Sequence, residues 1–322
     1  IYKLAHQHIC KFSLKSMEME NQKSRVSIAA IVLTYNEEIH IERCLRSLEN
    51  ICDEVFVIDS YSTDKTCEIA GRMGAQVFQN PWKNYATQFN WAIENCPIQS
   101  EWIWRIDADE YLEGGIGLAI RQTIAASNSD MNGVYVRKRI DFMGRMLLHG
   151  GWYPSFHLKV WRKGFGDCEN RWMDEHIRIF SGHTVVVETG NQVDDNRNDL
   201  TWWTNKHNSY ATREMVDMLC IEYGLTGEKE VIPKFWGTEE QRKRWLKIKY
   251  VKTPLFVRPF INFFIRYLLK GGFLDGKEGF VWHFLQGFWY RFLVDAKIYE
   301  LKKRFKGNRE DIKSHIEENY LR

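Results

Sequence analysis

Two carboxylates, Asp107 and Asp109, stand one residue apart at the end of the apolar run Trp102, Ile103, Trp104, Arg105 and Ile106. Side chains of a strand alternate faces, so this spacing predicts that both acids point the same way with Ala108 turned aside. Two carboxylates a pleat apart repel unless a cation lies between them. A hard divalent ion, Mg2+ or Mn2+, suits the place, because it takes one or two carboxylates and completes its shell with phosphate oxygens. That chemistry fits a nucleotide-activated donor whose leaving group is a diphosphate. An isolated Asp-x-Asp is equally a solvated acidic loop, so its surroundings must decide.

Those surroundings read as a frame for the pair. Residues 26–34 form a nearly continuous apolar run, which a strand covered on both faces requires, and a parallel sheet follows from it. Asn36 is expected to cap a helix with Glu37 and Glu38 in its first turn and Ile41, Cys44, Leu45 and Leu48 at helical spacing. A second strand is predicted at residues 55–59, then Ser62, Thr63 and Asp64 as a cap and a helix ending at Gly74. A strand at 75–78 and a helix at 85–96 lead to the strand that carries the pair. The expected fold class is therefore α/β, Rossmann-like and doubly wound, with its ligand edge at the strand C-termini. Thr34, Tyr35, Glu37, Asp59, Asp107 and Asp109 all fall on that edge.

Over residues 26–112 these motifs resemble the inverting family-2 glycosyltransferases with the GT-A fold. The opening motif is Thr34-Tyr35-Asn36-Glu37-Glu38, the second is Val57-Ile58-Asp59-Ser60-Tyr61-Ser62-Thr63-Asp64, and the metal motif is Asp107-Ala108-Asp109-Glu110. The resemblance implies that Thr34, Tyr35 and Glu37 line the nucleoside pocket and that Asp59 reads the uracil edge. It also implies that Asp109 holds the metal, with Asp107 near ribose and metal. Many members carry Asp where this chain has Ser60 and Gly where it has Tyr61, so base recognition in that loop departs from the common pattern.

Past Tyr111 the strand–helix rhythm stops. A helix is predicted at 116–126, half-exposed strands at 133–139 and 157–161, a loop at 150–154, and a strand around 185–187. Residues 170–176, Asn-Arg-Trp-Met-Asp-Glu-His, form the other dense cluster of titratable and aromatic side chains. An inverting transfer needs one carboxylate to take the proton of the acceptor hydroxyl. By resemblance to lipopolysaccharide-core transferases that base is Glu175, with Asp174 as the alternative.

The last third changes character. In residues 254–270 the polar side chains are Arg258, Asn262, Arg266 and Lys270, every fourth residue on an otherwise apolar helix. Residues 279–290 repeat the aromatic theme. Both runs are too short to span a bilayer and suit helices lying in its interface, with Lys and Arg meeting anionic lipid. Packing against the catalytic domain or a second subunit is the competing reading, so a homo-oligomer stays open. A segment at 272–280 also resembles the tail of the lipopolysaccharide-core branch, which points to a glycolipid or other lipid-linked saccharide as acceptor.

The boundaries expected are a tail over 1–24, a GT-A domain over 25–195 and a helical, membrane-interfacial extension over 196–322. Residues 1–24 are polar and basic without a signal-peptide core, and Met17 is a candidate start. A net charge of +3 in 322 residues does not indicate a nucleic-acid binder, while 14% aromatics, including 13 Trp, is high. Seven scattered cysteines indicate neither a disulfide framework nor a zinc site, which fits a reducing cytoplasm. With the interfacial helices and the resemblance to the lipopolysaccharide-core branch, the expected place is peripheral, on the inner face of the cell membrane. The expected activity is metal-dependent, inverting transfer of a hexose from a nucleotide sugar, UDP-linked by preference. Transfer to a polyprenyl phosphate and nucleotidyl transfer are the enzymatic alternatives, and a scaffold with a dead sugar-nucleotide pocket is the non-enzymatic one.

Overall fold

The computed structural model describes residues 26–169, 175–225, 235–236 and 239–321. They fall into two compact units: 26–138, 156–169 and 176–194 in the first, and 139–155, 175 and the described residues from 195 onward in the second.

The first unit is built on one mixed sheet. Strands β1 (Ile28–Thr34), β2 (Glu54–Asp59), β3 (Gln76–Gln79) and β4 (Trp102–Asp107) run parallel in the order β3-β2-β1-β4. Past β4 the order continues through β8 (Ser155–Arg162), β6 (Met131–Phe142), β11 (His183–Asp194) and β5 (Glu110–Glu113). The pairs β4–β8 and β11–β5 are antiparallel. All seven residues of β1 are buried, and alternation divides them between two cores. Ile28, Ala30 and Val32 pack with Ile41, Cys44, Leu45 and Leu48 of α1 (Ile41–Leu48). Ala29, Ile31 and Leu33 pack with Ala86, Phe89 and Ala92 of α3 (Tyr85–Asn95). Each fully buried Ile, Leu or Val of this kind contributes roughly 1.5–3 kcal/mol.

Asn36 does not cap α1, which begins at Ile41 after a turn, with no side-chain cap at His40. Instead Asn36, with φ +55°, accepts the Thr63 N–H at 2.8 Å while its own N–H donates to Ser62 Oγ at 2.8 Å. Asp64 accepts from Thr66 N at 2.9 Å, at the head of α2 (Thr66–Arg72), and from Glu38 N at 3.1 Å. Both acid-amide positions stitch the loop after β1 to the loop after β2. The helices at 85–95 and α4 (Ile116–Ala126) stand where periodicity places them.

In the second unit the end of β6 turns back through β7 (Arg145–Met146). Helix α5 (Leu200–Tyr223) is capped by Asp199, which accepts the Trp202 N–H at 2.8 Å, and is closed by Gly224 at φ +72°. It is followed by α6 (Glu239–Val251) and by α7 (Val257–Phe263), which widens into a π-helical turn over Phe264–Leu269. A 3-10 turn at Gly272–Asp275 reverses the chain into α8 (Gly276–Trp282), a π-helical stretch at His283–Trp289, α9 (Tyr290–Arg304) and then α10 (Arg309–Ile316). Met215 and Leu219 pack against Val294 and Ile298, and Ile312 and Ile316 close that core. Part of the tryptophan surplus forms a second cluster, with Trp282 centred 5.1 Å from Phe142 and 5.4 Å from Trp152. Among the described residues no helix is long and apolar enough to cross a membrane.

The polar stripe along α7 does not face outward as expected. Arg258 is 2% exposed and its Nε donates to Asp295 at 2.7 Å. Asn262 donates to the Gly287 carbonyl at 2.7 Å, and Arg266 donates to the Gly150 carbonyl at 3.1 Å. A guanidinium finds more favourable partners on a facing helix and loop than the apolar side chains around it could offer.

Candidate active site

The loops after β1, β2 and β4 meet at the carboxyl edge of the parallel strands, where an open α/β sheet places its ligands. Thr34 ends β1 opposite Asp59, and its hydroxyl donates to Asp59 Oδ1 at 3.2 Å. Asp59 is fully buried and also accepts from Ser62 N at 2.9 Å, Ser62 Oγ at 2.5 Å and Gln79 Nε2 at 3.1 Å. Burial pushes its carboxyl up, but the donors from Ser62 and Gln79 outweigh that and hold it below the ordinary aspartate value. Four donors fill both oxygens, so in this state Asp59 organises the loop that surrounds it. Glu37 faces His40, with Oε2 2.5 Å from Nδ1, and its backbone N–H donates to Thr66 Oγ1 at 2.8 Å. Tyr35 and Tyr61 are 59% and 53% exposed on this rim. Tyr61 sits at φ +62°, the left-handed conformation that glycine adopts without cost, and an L-residue there is disfavoured by roughly 1–2 kcal/mol.

Asp107 is the last residue of β4, whereas Asp109 lies in the two-residue turn that leads into β5. Strand alternation therefore reaches Asp107 only, and a tight turn is what keeps Asp109 beside it. The Asp109 carbonyl accepts from Arg43 Nη2 at 3.2 Å. Asp107 Oδ1 accepts from the Tyr85 hydroxyl at 2.5 Å, and that hydroxyl accepts from Arg105 Nε at 2.8 Å. The convergence of acids is felt by the Cys44 thiol. Burial first, then Glu110, Asp109 and Asp107, hold its pKa well above the ordinary cysteine value.

Behind the turn lies a polar network that sequence reading missed. Glu110 is fully buried, and its Oε2 accepts the Asp107 N–H at 3.0 Å and the Gln192 side chain at 2.5 Å. Gln192 in turn accepts from Trp104 Nε1 at 3.0 Å. The ammonium groups of Lys159 and Lys138 each lie 3.1 Å from Glu110. Lys159 also lies 3.6 Å from Asp107 Oδ2, and Lys138 lies 2.9 Å from Asp194, the cross-strand partner of Glu110. Burial would raise the Glu110 pKa, yet Lys159 and Lys138 hold it far below the ordinary glutamate value. Burial lifts Asp194 above the ordinary aspartate value against the pull of Lys138. The available signal was Lys159 on the same strand face as His157 and Trp161, between the apolar residues Leu158 and Val160.

Among the described residues no three His, Cys, Asp or Glu side chains form a ready-made metal cage. The donor set still fits a divalent cation that takes one or two carboxylates and draws its remaining ligands from a diphosphate and water. Asp107, which ends β4, and Asp109, in the turn that follows, are the carboxylates that would enter such a shell. Of the two acids considered as base, Glu175 is half-buried two residues before β10 (Ile177–Ile179), which pairs antiparallel with β9 (Gly166–Cys168), and Asp174 lies outside the described residues.

This combination of a parallel β3-β2-β1-β4 edge, a mixed extension and acids at the end of β4 is the architecture of a glycosyltransferase of GT-A fold. The glycosyl transferase family 2 model matches residues 29–187. A glycosyltransferase of Rickettsia bellii is 44% identical over 284 residues, spanning 85% of this chain and 86% of the relative. The chain belongs to glycosyltransferase family 2. It is also similar to the lipopolysaccharide core biosynthesis glycosyltransferase LpsC of Rhizobium meliloti, at 26% identity over 90% of this chain and 99% of that protein. Glucosyl-3-phosphoglycerate synthase of Mycobacterium tuberculosis, crystallised with Mn2+, UDP and glucosyl-3-phosphoglycerate, overlays at a TM-score of 0.31. That overlay has 21% identity over 38% of this chain and 47% of that one, too slight a likeness to carry a substrate across.

Proposed function

We propose that this enzyme transfers a hexose from a UDP-sugar to a lipid-linked saccharide of the lipopolysaccharide-core type, with inversion, at the inner face of the cell membrane. The observation that carries the reading is the single rim on which Thr34, Asp59, Asp107 and the Asp109 turn stand, in a chain of this family. The full-length likeness to a lipopolysaccharide core transferase supports the acceptor class.

On this reading the exposed rings of Tyr35 and Tyr61 flank the nucleobase, and Asp59, held rigid by its donors, fixes the loop that meets it. Asp109, with Asp107 beside it, holds a Mg2+ or Mn2+ ion, which when bound neutralises charge on the departing diphosphate. Glu110, clamped by Lys138 and Lys159, fixes the backbone of the acidic turn through the Asp107 N–H. Glu175 takes the proton of the acceptor hydroxyl as its oxygen bonds to the anomeric carbon and the carbon–oxygen bond to the diphosphate breaks.

The test is a panel of nucleotide sugars with Mn2+ or Mg2+, scored for donor hydrolysis and for transfer to a glycolipid acceptor. One UDP-hexose should be turned over in a metal-dependent way, and Asp109→Ala should abolish this. Turnover indifferent to chelation would sink the metal-dependent reading. Transfer to a polyprenyl phosphate is the second reading, and it needs no base, so near-normal turnover by Glu175→Gln would favour it. Nucleotidyl transfer gives way to the family assignment.

A further inference from the structure

The hairpin formed by α7 and its return, residues 257–289, has its polarity reversed relative to a surface helix of a globular protein. Apart from the exposed Lys270 and Lys277, its polar side chains turn inward, across the hairpin or toward the rest of the second unit. Arg258 pairs with Asp295, Asn262 binds the Gly287 carbonyl, and Arg266 binds the Gly150 carbonyl while its guanidinium lies 4.4 Å from the Trp152 ring centre. Asp275, 2% exposed, accepts the N–H groups of Leu148 and His149 at 3.2 and 3.0 Å and His149 Nδ1 at 2.6 Å. The Gly150 N–H donates to the Lys270 carbonyl at 2.9 Å. What the hairpin turns outward is apolar: Phe260 is 59% exposed, Phe264 51%, Leu269 69%, Phe273 49%, Leu274 54% and Phe280 47%.

A strict four-residue repeat drifts about 40° per step around a 3.6-residue helix, so an all-α segment would carry Lys270 well away from Arg258. The wider π-helical turn at Phe264–Leu269 offsets that drift and keeps the apolar face continuous. A contiguous apolar face on this scale marks an interaction site.

Charge identifies the partner. Residues 239–304 hold fifteen Lys and Arg against six Asp and Glu, a formal net of +9 in a chain whose total is +3. Lys252, Lys270 and Lys277 are exposed beside the apolar face. Two copies of this face would set like charges against each other, whereas anionic headgroups neutralise them and the acyl region takes the aromatic side chains. The helices are too short to span, so the face can enter one leaflet only.

We infer that the 257–289 hairpin is an interfacial anchor that enters one leaflet of an anionic bilayer, apolar face first, while its inward polar side clasps the 147–152 loop. The inference rests on the reading above only in that the acceptor is lipid-borne.

Flotation of the full chain with phosphatidylglycerol-containing vesicles and with pure phosphatidylcholine vesicles tests it, since lipid binding needs no turnover. The protein should float with the anionic vesicles, and Leu268→Asp/Leu269→Asp should weaken this at least about tenfold with an unchanged melting temperature and unchanged donor hydrolysis. Phe280→Ser, on the return helix, should weaken flotation as well and serves if the double variant does not fold. Flotation unaffected by these changes overturns the anchor. So does a stable dimer in sedimentation that the same variants dissociate, with no vesicle binding by the parent. Loss of transfer with flotation intact would instead count against the reaction assigned above.

Discussion

Replacing Glu175 and replacing Asp109 should impair turnover in different ways, because one acts on the acceptor proton and the other on the donor. Glu175→Gln keeps the shape and removes the basicity, so kcat for glycolipid transfer is expected to fall roughly 10²–10⁴-fold with donor KM unchanged. Asp109→Asn should abolish the Mn2+-dependent part of UDP binding measured by calorimetry while leaving the melting temperature in place. A Glu175→Gln enzyme with normal kcat, or an Asp109→Asn enzyme that still binds UDP more tightly with Mn2+, would remove those assignments. Tyr61 is a different kind of residue: its left-handed backbone is one glycine would take freely, and what the chain gains there is a ring 53% open to the rim. Thr34, Asp59 and Asp107 were readable in sequence because each ends a strand whose apolar run gives its position, and Asp109 follows in the turn after β4. Asn36 was misread as a cap because an Asn after a strand looks alike whether it caps a helix or ties a neighbouring loop, as it does at Thr63.

At the scale of elements, strands β1, β2 and β4 were legible because burial on both faces leaves a nearly continuous apolar run, interrupted in β4 by Arg105. The network behind the acidic turn was not, since Lys159 reaches Glu110 only once β8 lies beside β4, a pairing between residues more than 50 apart. The stripe on α7 was visible as a period, but a period does not say which way it turns. Its direction is set by Asp295, 37 residues from Arg258. Glu110→Gln leaves two lysines without their shared partner and should cost roughly 3–5 kcal/mol in denaturant unfolding. Because the Glu110 pKa is depressed, its contribution is present above the unfolded value of about 4.3 and is lost as pH falls below it, so the variant's stability should depend less on pH there. His283 is fully buried between Gly150 and Gly272, with neither ring nitrogen hydrogen-bonded. Burial, with Arg266 nearby, pushes its pKa down to about 4. The unfolded chain then binds the extra proton first, so stability is full above about pH 6.5 and declines as pH falls toward 4, a decline that His283→Phe should remove. Gly150→Ala would place a methyl 2.0 Å from the same ring on a backbone at φ +71°, and a loss of at least about 2 kcal/mol is expected.

At the scale of the whole molecule, charge is distributed against function in a way the total of +3 conceals. Residues 239–304 carry +9, so the remainder of the chain, including the acidic rim, is net negative. A negative catalytic half would repel an anionic bilayer and a diphosphate donor alike, and a cation at the acidic turn relieves the second repulsion but not the first. The cationic stretch must supply the attraction to the surface, and each Lys or Arg near anionic headgroups contributes about 1 kcal/mol within a Debye length of about 8 Å at physiological ionic strength. Apolar insertion of the 257–289 hairpin, by contrast, is insensitive to screening. The two contributions separate on a salt titration of vesicle binding. Raising NaCl from 0.05 to 0.5 M should weaken binding to phosphatidylglycerol vesicles by more than about tenfold and then level off at a residual set by the apolar face. Leu268→Asp/Leu269→Asp should remove that residual while keeping the salt-dependent part, and glycolipid transfer should follow bound enzyme across the titration while hydrolysis of the free donor stays flat. Binding that fell to nothing with salt in the parent protein would show that charge alone holds the enzyme at the surface and that the hairpin stays outside the acyl region.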